Sequence, residues 1–484
     1  MPDGNGGQKE YNCKKTWRLL ISSSGLYKLS LLGFAPKRLK FIIRQPTRDA
    51  EQFGKIVSVK QSFTDVDTYC FTEPKQHRGV FNGVLTSQCA EITEYSDGQT
   101  TAVCNLASIC LPRFVITDPE TKKVTFDFNK LVAVTRVLTI NLNKVIDINY
   151  YPAESTVESN RKNRPIGIGV QGLADVYNLF GYAFDSLSAQ QLNKKIFETI
   201  YYSAINTSKD IAKVDGPYDA FRGSPFSEGK LQYHLWGMTE DDLVTKNDYD
   251  WLGLVEEVKK YGTRNSLLTA LMPTAGTSQI MKCSESFEPY MSNVFVRTTM
   301  AGEFVIINEN LIRDLLKLGL WSDDMRKLII IKNGSIQDIP NVPTKIKSIY
   351  KTAFELKLKQ IISQSADRGP FIDQSQSMNL FMKVPNYEIL TSAHFYSWER
   401  GCKTGMYYLR TTPAVSPIQF GIDVADIIRL TGKSGVTDLI MDHCDINLDE
   451  IEVKMKKSND GDVGGVMCKY IPGKSAEGCE SCSG

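Results

Sequence analysis

The feature that most constrains the fold of this chain is a change of pattern at residue 88. Before it, short apolar runs alternate with turn signals: Trp17-Arg-Leu-Leu-Ile, Gly25-Leu-Tyr-Lys-Leu, Phe41-Ile-Ile, Lys55-Ile-Val-Ser-Val and Gly79-Val-Phe. Such spacing predicts a small β-rich unit over 17–88. After it, long helical periodicities alternate with short apolar strands, the signature of an α/β architecture. Charge breaks at the same place. Residues 1–88 hold 14 basic and 7 acidic side chains, whereas the remainder holds 43 and 48. The polar, glycine-rich residues 1–16 and the Gly-, Ser- and Lys-rich stretch 456–484 read as loose ends. The predicted organisation is 1–16, 17–88, 89–455 and 456–484.

Within the larger unit, Phe128 to Asp147 carries Leu131, Val132, Val137, Leu138 and Val145 at helical spacing. Ser188 to Val214 places Leu192, Ile196, Ile200 and Ile205 on one face, with Ser188 as N-cap and Gly216-Pro217 as the stop. Further helices are predicted over Asn308–Leu318 and Lys345–Ile362. Strands are predicted over Ala102–Ser108, Ser266–Met272 and Met406–Thr411. The length of 484 residues, 42% hydrophobic, suits two or three domains. A net charge of +2 gives no bulk attraction to nucleic acid or membrane. No apolar run approaches the roughly 20 residues that span a bilayer, and the polar start Met1-Pro-Asp-Gly has no apolar signal region. Eleven cysteines, an odd number, then point to a reducing, cytoplasmic setting. The four histidines, His77, His234, His394 and His443, do not cluster, so no metal site is expected.

Two chemistries meet at Cys89. The first needs an amide side chain that cyclises onto its own carbonyl, followed by a nucleophile, with an imidazole or thiol to move protons. Gln88 and Cys89 supply the first two, and His77 and Cys70 stand upstream. Tyr69-Cys-Phe-Thr72, His77, Phe81-Asn-Gly83 and Gln88-Cys89 together resemble the C-terminal blocks of an intein, a Hint-like β fold. The sequence departs from that pattern in ending on Gln rather than Asn, after Ser87 rather than His. The plainer alternative is a β unit whose Asn82-Gly83 is a hairpin turn.

The second chemistry starts from Cys89-Ala-Glu91, which puts a thiol and a carboxylate on one side of an extended loop. A thiyl radical removes hydrogen from a sugar carbon, and a carboxylate takes a hydroxyl proton. Cys104 follows within Ala102-Val-Cys-Asn-Leu-Ala-Ser108, and by itself reads as a core thiol. Cys89-Ala-Glu-Ile-Thr-Glu-Tyr95, that second run, Val145–Pro152, Arg164-Pro-Ile-Gly-Ile-Gly-Val-Gln-Gly-Leu-Ala-Asp175, Gly262-Thr-Arg-Asn-Ser-Leu-Leu268, Met272-Pro-Thr-Ala-Gly-Thr-Ser-Gln279 and Lys403-Thr-Gly-Met-Tyr-Tyr-Leu-Arg-Thr411 resemble, in order, the class I ribonucleotide reductase large subunit. The resemblance implies the second half of a ten-stranded α/β barrel with a finger loop tipped by Cys89. It implies Cys89 as the radical thiol, Glu91 as the base and Cys104 as one of two reducing thiols. The family's Asn two residues before the radical Cys is replaced here by Ser87.

The resemblance also implies roles beyond the loop. Pro273, Thr274, Ala275, Gly276 and Thr277 would form the substrate-phosphate turn, although the bare motif reads as a plain strand–helix turn. Tyr407 and Tyr408 would relay the radical; the other pairs, Tyr150-Tyr151 and Tyr201-Tyr202, read as core or helix-face residues. Cys479-Glu-Ser-Cys482 is a poor zinc site and a better exchange dithiol, recharged by thioredoxin or glutaredoxin. The implied partners are a ribonucleoside diphosphate, a small subunit whose metal cofactor generates the radical, a second large subunit, and the N-terminal half with its ATP and dNTP effector sites. No cofactor is expected on this chain. Cys13, Cys110, Cys283, Cys402, Cys444 and Cys468 are expected only to pack or lie at the surface. An autoprocessing element and an inactive gene fragment are the competing readings.

Overall fold

The computed structural model describes residues 78–81, 84–87, 90–97, 99–151, 153–299, 302–411 and 429–431. Cys70, His77, Asn82, Gly83, Gln88, Cys89, Cys479 and Cys482 lie outside them, as do 1–16, most of 17–88 and 456–484. Strands β1 (Arg78–Phe81) and β2 (Val84–Ser87) pair antiparallel with Phe81 opposite Val84. That pairing is what a two-residue Asn-Gly connection predicts.

The larger unit is built on parallel strands. β3 (Leu106–Cys110) leads through a small antiparallel pair, β4 (Val115–Thr117) and β5 (Val124–Phe126), into helix α1 (Phe128–Ile148). Asp127 caps α1 by accepting from the Lys130 N–H. α2 (Glu154–Asn163) turns at Arg164 into β6 (Gly167–Gln171), followed by α3 (Leu173–Phe180) and the long α4 (Leu187–Asp215). β6 lies parallel to β3, Leu106 opposite Gly167. Ile168 then bridges Thr269, and Leu271 bridges Gln376, both in parallel sense. The 374–377 run continues into β9 (Leu380–Met382), which is parallel to β10 (Leu409–Thr411). Five parallel segments therefore lie side by side. A Cβ on Gly169 would come within 2.6 Å of Met272 Sδ and 2.8 Å of the Ala270 carbonyl, so only glycine lets the third segment close on β6.

Between these segments run α5 (Trp251–Tyr261), α6 (Ala275–Met281), the hairpin β7 (Val294–Thr299) and β8 (Gly302–Ile307), α7 (Glu309–Lys317), α8 (Asp323–Ile331) and α9 (Leu358–Arg368); α10 (Tyr387–Glu399) precedes β10. α4 packs against α1, α5 and α9. The main core gathers Ile168, Val170, Phe197, Tyr201, Trp251 and Leu380. A second cluster joins Val294, Leu311, Leu315, Ile329 and Tyr350. Among the described residues no helix is long and apolar enough to cross a membrane.

Several boundaries differ from expectation for local reasons. The N-cap of α4 is Ser186, not Ser188, because the Ser186 hydroxyl accepts from the Ala189 N–H at 3.2 Å. Lys345–Ile362 is not one helix. Helix residues Thr344–Ile349 stop, and the Glu355 carboxylate accepts from the Thr352 N–H at 2.7 Å, starting a separate turn before α9. Val137 and Val145 face solvent; the buried stripe of α1 is Leu131, Thr135, Thr139, Leu142 and Ile146. Thr139 tolerates burial because its hydroxyl donates to the Thr135 carbonyl. Cys104 is exposed and precedes β3 rather than lying in a buried strand.

Candidate active site

The fourth parallel segment, Gln374–Ser377, is polar yet buried, and it joins the predicted residues. The Ser375 N–H donates to the Glu91 carbonyl at 2.9 Å, and the Ser377 hydroxyl donates to the Glu91 carboxylate. Gln374 accepts from the Thr93 N–H at 3.0 Å and donates to Glu94 at 3.1 Å. Residues 91–94 are thereby fastened along this segment, with the Glu91 side chain buried. On its other side, the Ser377 N–H donates to the Leu271 carbonyl, two residues before Pro273. The Tyr407 N–H donates to the Met378 carbonyl at 2.7 Å. One short run thus contacts the Glu91 loop, the strand leading to the Pro273–Thr277 turn and the tyrosine pair.

Burial pushes Glu94 up to about 7, against the hydrogen bond from Gln374. Desolvation and then the Glu94 carboxylate raise the Cys104 thiol, although its side chain is exposed. Asn105, next to it, is buried and donates to Asn160 and the Pro165 carbonyl, which fixes the start of β3.

At the turn, Thr274 is buried in a left-handed conformation with φ of +59° and caps α6. Its hydroxyl accepts from the Ser286 N–H at 2.8 Å, and the Thr277 hydroxyl donates to Gln171 at 2.9 Å. Pro273 is half-buried, while Ala275, Gly276 and Thr277 are exposed, with open space beside Gly276. A cavity of about 390 Å³ is lined by Ser278, Glu285, Glu288, Phe381 and Arg410. Glu288 is fully buried there and pushed up to about 8 by desolvation.

The rings of Tyr407 and Tyr408 lie 4.0 Å apart at 53°, with the Arg410 guanidinium 5.1 Å from the Tyr408 ring. Of the other pairs, Tyr150 is exposed, Tyr201 is core, and Tyr202 stacks on Tyr249. The structure brings Glu91, the strand that leads to Pro273–Thr277 and the tyrosine pair to one segment; Cys89 and the Cys479/Cys482 pair lie outside the described residues. Sequence reasoning missed Gln374, Ser375 and Ser377. Their signal was a polar Gln-Ser-Gln-Ser run beside apolar Phe371-Ile372 and Leu380-Phe381. Among the described residues no group of three metal-binding side chains occurs.

Parallel strands joined through helices, with polar groups gathered on the fourth, define an α/β domain. Residues 73–408 match the family model for the ribonucleotide reductase barrel domain, and the chain belongs to that family. It is 47% identical over 409 residues to the ribonucleoside-diphosphate reductase large subunit of Acanthamoeba polyphaga mimivirus, covering 84% of this chain and 45% of that one. It is 52% identical over 335 residues to the large subunit of Caenorhabditis elegans, covering 69% and 41%. Among solved structures it resembles the Actinobacillus ureae class Id ribonucleotide reductase alpha subunit, with a TM-score of 0.51 and 24% identity over 67% of this chain and 52% of that one, a likeness of fold. The chain spans less than half the length of the curated relatives it matches.

Proposed function

We propose that this chain supplies the catalytic barrel half of a ribonucleoside-diphosphate reductase large subunit, which converts ribonucleotides to deoxyribonucleotides. The observation that carries the reading is the buried Glu91 carboxylate, held by Ser377 on the segment that also binds the phosphate-turn strand and Tyr407. In this reading Cys89, two residues from Glu91, bears the radical and abstracts the 3′ hydrogen of the sugar. Glu91 takes the 3′ hydroxyl proton. Cys104 and a second thiol, in the part of the family protein that this chain does not cover, then lose two electrons and two protons and become a disulfide as the 2′ hydroxyl leaves as water. Thr274–Thr277 hold the substrate phosphates. Tyr407 and Tyr408 pass the radical from a small subunit that houses the metal cofactor, and their 4.0 Å ring spacing suits short hops. Cys479 and Cys482 re-reduce the disulfide, recharged by thioredoxin or glutaredoxin. ATP and dNTP effectors act on the uncovered half, within a dimer of large subunits in the cytoplasm.

The same proposal makes Cys89 a splice junction. Gln88 cyclises, assisted by His77 and Cys70, and Cys89 joins an upstream segment to the barrel. Support comes from the intein-like string and from the β1–β2 hairpin that ends at Ser87, directly before Gln88. The test joins this chain to an upstream reductase half, adds a small subunit, and measures reduction of ribonucleoside diphosphates. Turnover by the joined protein and none after Cys89→Ala is the expected result; turnover that survives Cys89→Ala refutes the radical assignment. Mass spectrometry of the mixture reports splicing separately, and an intact Gln88–Cys89 bond in every product refutes it.

A further inference from the structure

Cys110 ends β3 and Cys283 follows α6, yet their Sγ atoms stand 4.0 Å apart across 173 residues of sequence. Both thiols are free and half-buried. They share the wall of a cavity of about 550 Å³ with Arg113, Asp175, Tyr290 and Asn310. The backbone around Cys283 is firmly placed. Its N–H donates to the Ser278 carbonyl at 3.0 Å, and the next residue, Ser284, donates to Asp175 at 2.6 Å. The approach depends on Gly172, whose φ is +84°. A Cβ there would meet Pro112 Cδ at 2.5 Å and Cys283 Cβ at 3.1 Å.

These thiols belong to none of the roles above. A disulfide has an S–S length of about 2.05 Å, so the two sulfurs need to close by roughly 2 Å. Rotation about a Cα–Cβ bond sweeps a cysteine Sγ by up to about 3 Å, which is larger than that gap. The neighbouring Cys283 thiol lowers Cys110, and the Arg113 guanidinium, within hydrogen-bonding reach of Cys110, favours its thiolate further. Cys110 is therefore the better nucleophile of the two.

We propose that Cys110 and Cys283 form a redox-active dithiol that closes by exchange with a small-molecule disulfide. The Cys110 thiolate attacks one sulfur of that disulfide and releases the other half as a thiol. Cys283 then gives up its proton and attacks the Cys110 sulfur, releasing the second half. Two protein thiols are oxidised to one disulfide, and one external disulfide is reduced to two thiols. Closure ties the end of β3 to the turn that follows α6, and so braces Thr274–Met281. The meaning of that brace for substrate binding rests on the phosphate-turn reading, but the bond itself does not.

The test treats the folded full chain with oxidised glutathione, quenches with iodoacetamide and maps the peptides by mass spectrometry. The expected product joins the Cys110 and Cys283 peptides with loss of two hydrogens. Cys283→Ser leaves a glutathione adduct on Cys110, and Cys110→Ser leaves Cys283 at least tenfold slower to react. Circular dichroism checks that each variant folds, with alanine at the same position as the substitute where serine does not. Adducts on other cysteines without the 110–283 peptide overturn the proposal. Equal adduct rates in the two variants overturn the order of attack. Amide exchange over 275–281 slows on oxidation if the turn is braced, and unchanged exchange in the cross-linked protein overturns the brace. None of these readouts involves a nucleotide, so they stand apart from the reductase reading.

Discussion

Glu94→Gln is the most informative single change. The Glu94 carboxyl titrates near 4.5 when unperturbed and is lifted to about 7 in the fold, first by burial and against the Gln374 hydrogen bond. A folded pKa above the unfolded value means that the native state binds the proton more tightly. Stability is then greatest below pH 4.5 and is lost as pH rises to about 7. The full shift corresponds to about 3.4 kcal/mol, and partial solvent access reduces this to roughly 1.5 kcal/mol. Glutamine keeps an oxygen for Gln374 Nε2 and carries no charge. The variant should match the wild type below about pH 4.5 and exceed it by ~1.5 kcal/mol at pH 8, the gap opening as pH rises from 4.5 towards 7. Urea unfolding followed by fluorescence at a series of pH values reads the gap. A gap that stays flat or narrows as pH rises refutes the reasoning. The same variant removes a charge that raises Cys104, so alkylation of Cys104 at pH 8 should be faster than in the wild type. Unchanged alkylation would mean that the carboxylate and thiol are uncoupled.

Ser377→Ala strips the buried Glu91 carboxylate of its hydroxyl donor and should lower stability by about 1–3 kcal/mol, with partial rescue by threonine, as read by thermal melting. Gly169→Ala drives a methyl group into the Ala270 carbonyl and Met272, and should cost about 2–3 kcal/mol or prevent folding, seen as a lower denaturation midpoint. Tyr408→Phe keeps the ring pair and removes only the hydroxyl. In the joined reductase it should leave the melting temperature within a degree or two and abolish turnover, and retained turnover would remove Tyr408 from the relay.

Much of the scaffold was legible because it obeys local rules. Phe128–Ile148 and Leu187–Asp215 follow helical periodicity, and Gly216 stops the second as expected. The failures lie where distant partners decide. Nothing near Thr139 or Asn143 in sequence announces that α4 and Asn265 will bury them, so the valines drew the wrong face. The motif residues Glu91, Thr274 and Tyr408 could be named from their strings, but their common anchor could not. Ser375 and Ser377 look like loop residues until Glu91 and Leu271 arrive to satisfy them. Cys110 and Cys283 likewise read as isolated thiols in the sequence, because their proximity exists only in three dimensions.

The Gln374–Ser377 anchor also sets an order of events in time. Ser377 reaches Glu91 across 286 residues of sequence, and Gln374 reaches Glu94 across 280. Closing loops of that size carries an entropic cost that grows only slowly with length, but no contact exists until both ends have been made. A ribosome that has not yet passed residue 370 has released Glu91 with none of its final hydrogen-bond partners on the fourth segment. The acid's burial is therefore a late step of synthesis, reached after α1, α4 and the core between them can already form from local contacts. Such a schedule leaves the Glu91 carboxylate without its buried partners, rather than in a half-built interior, until the fourth segment is made.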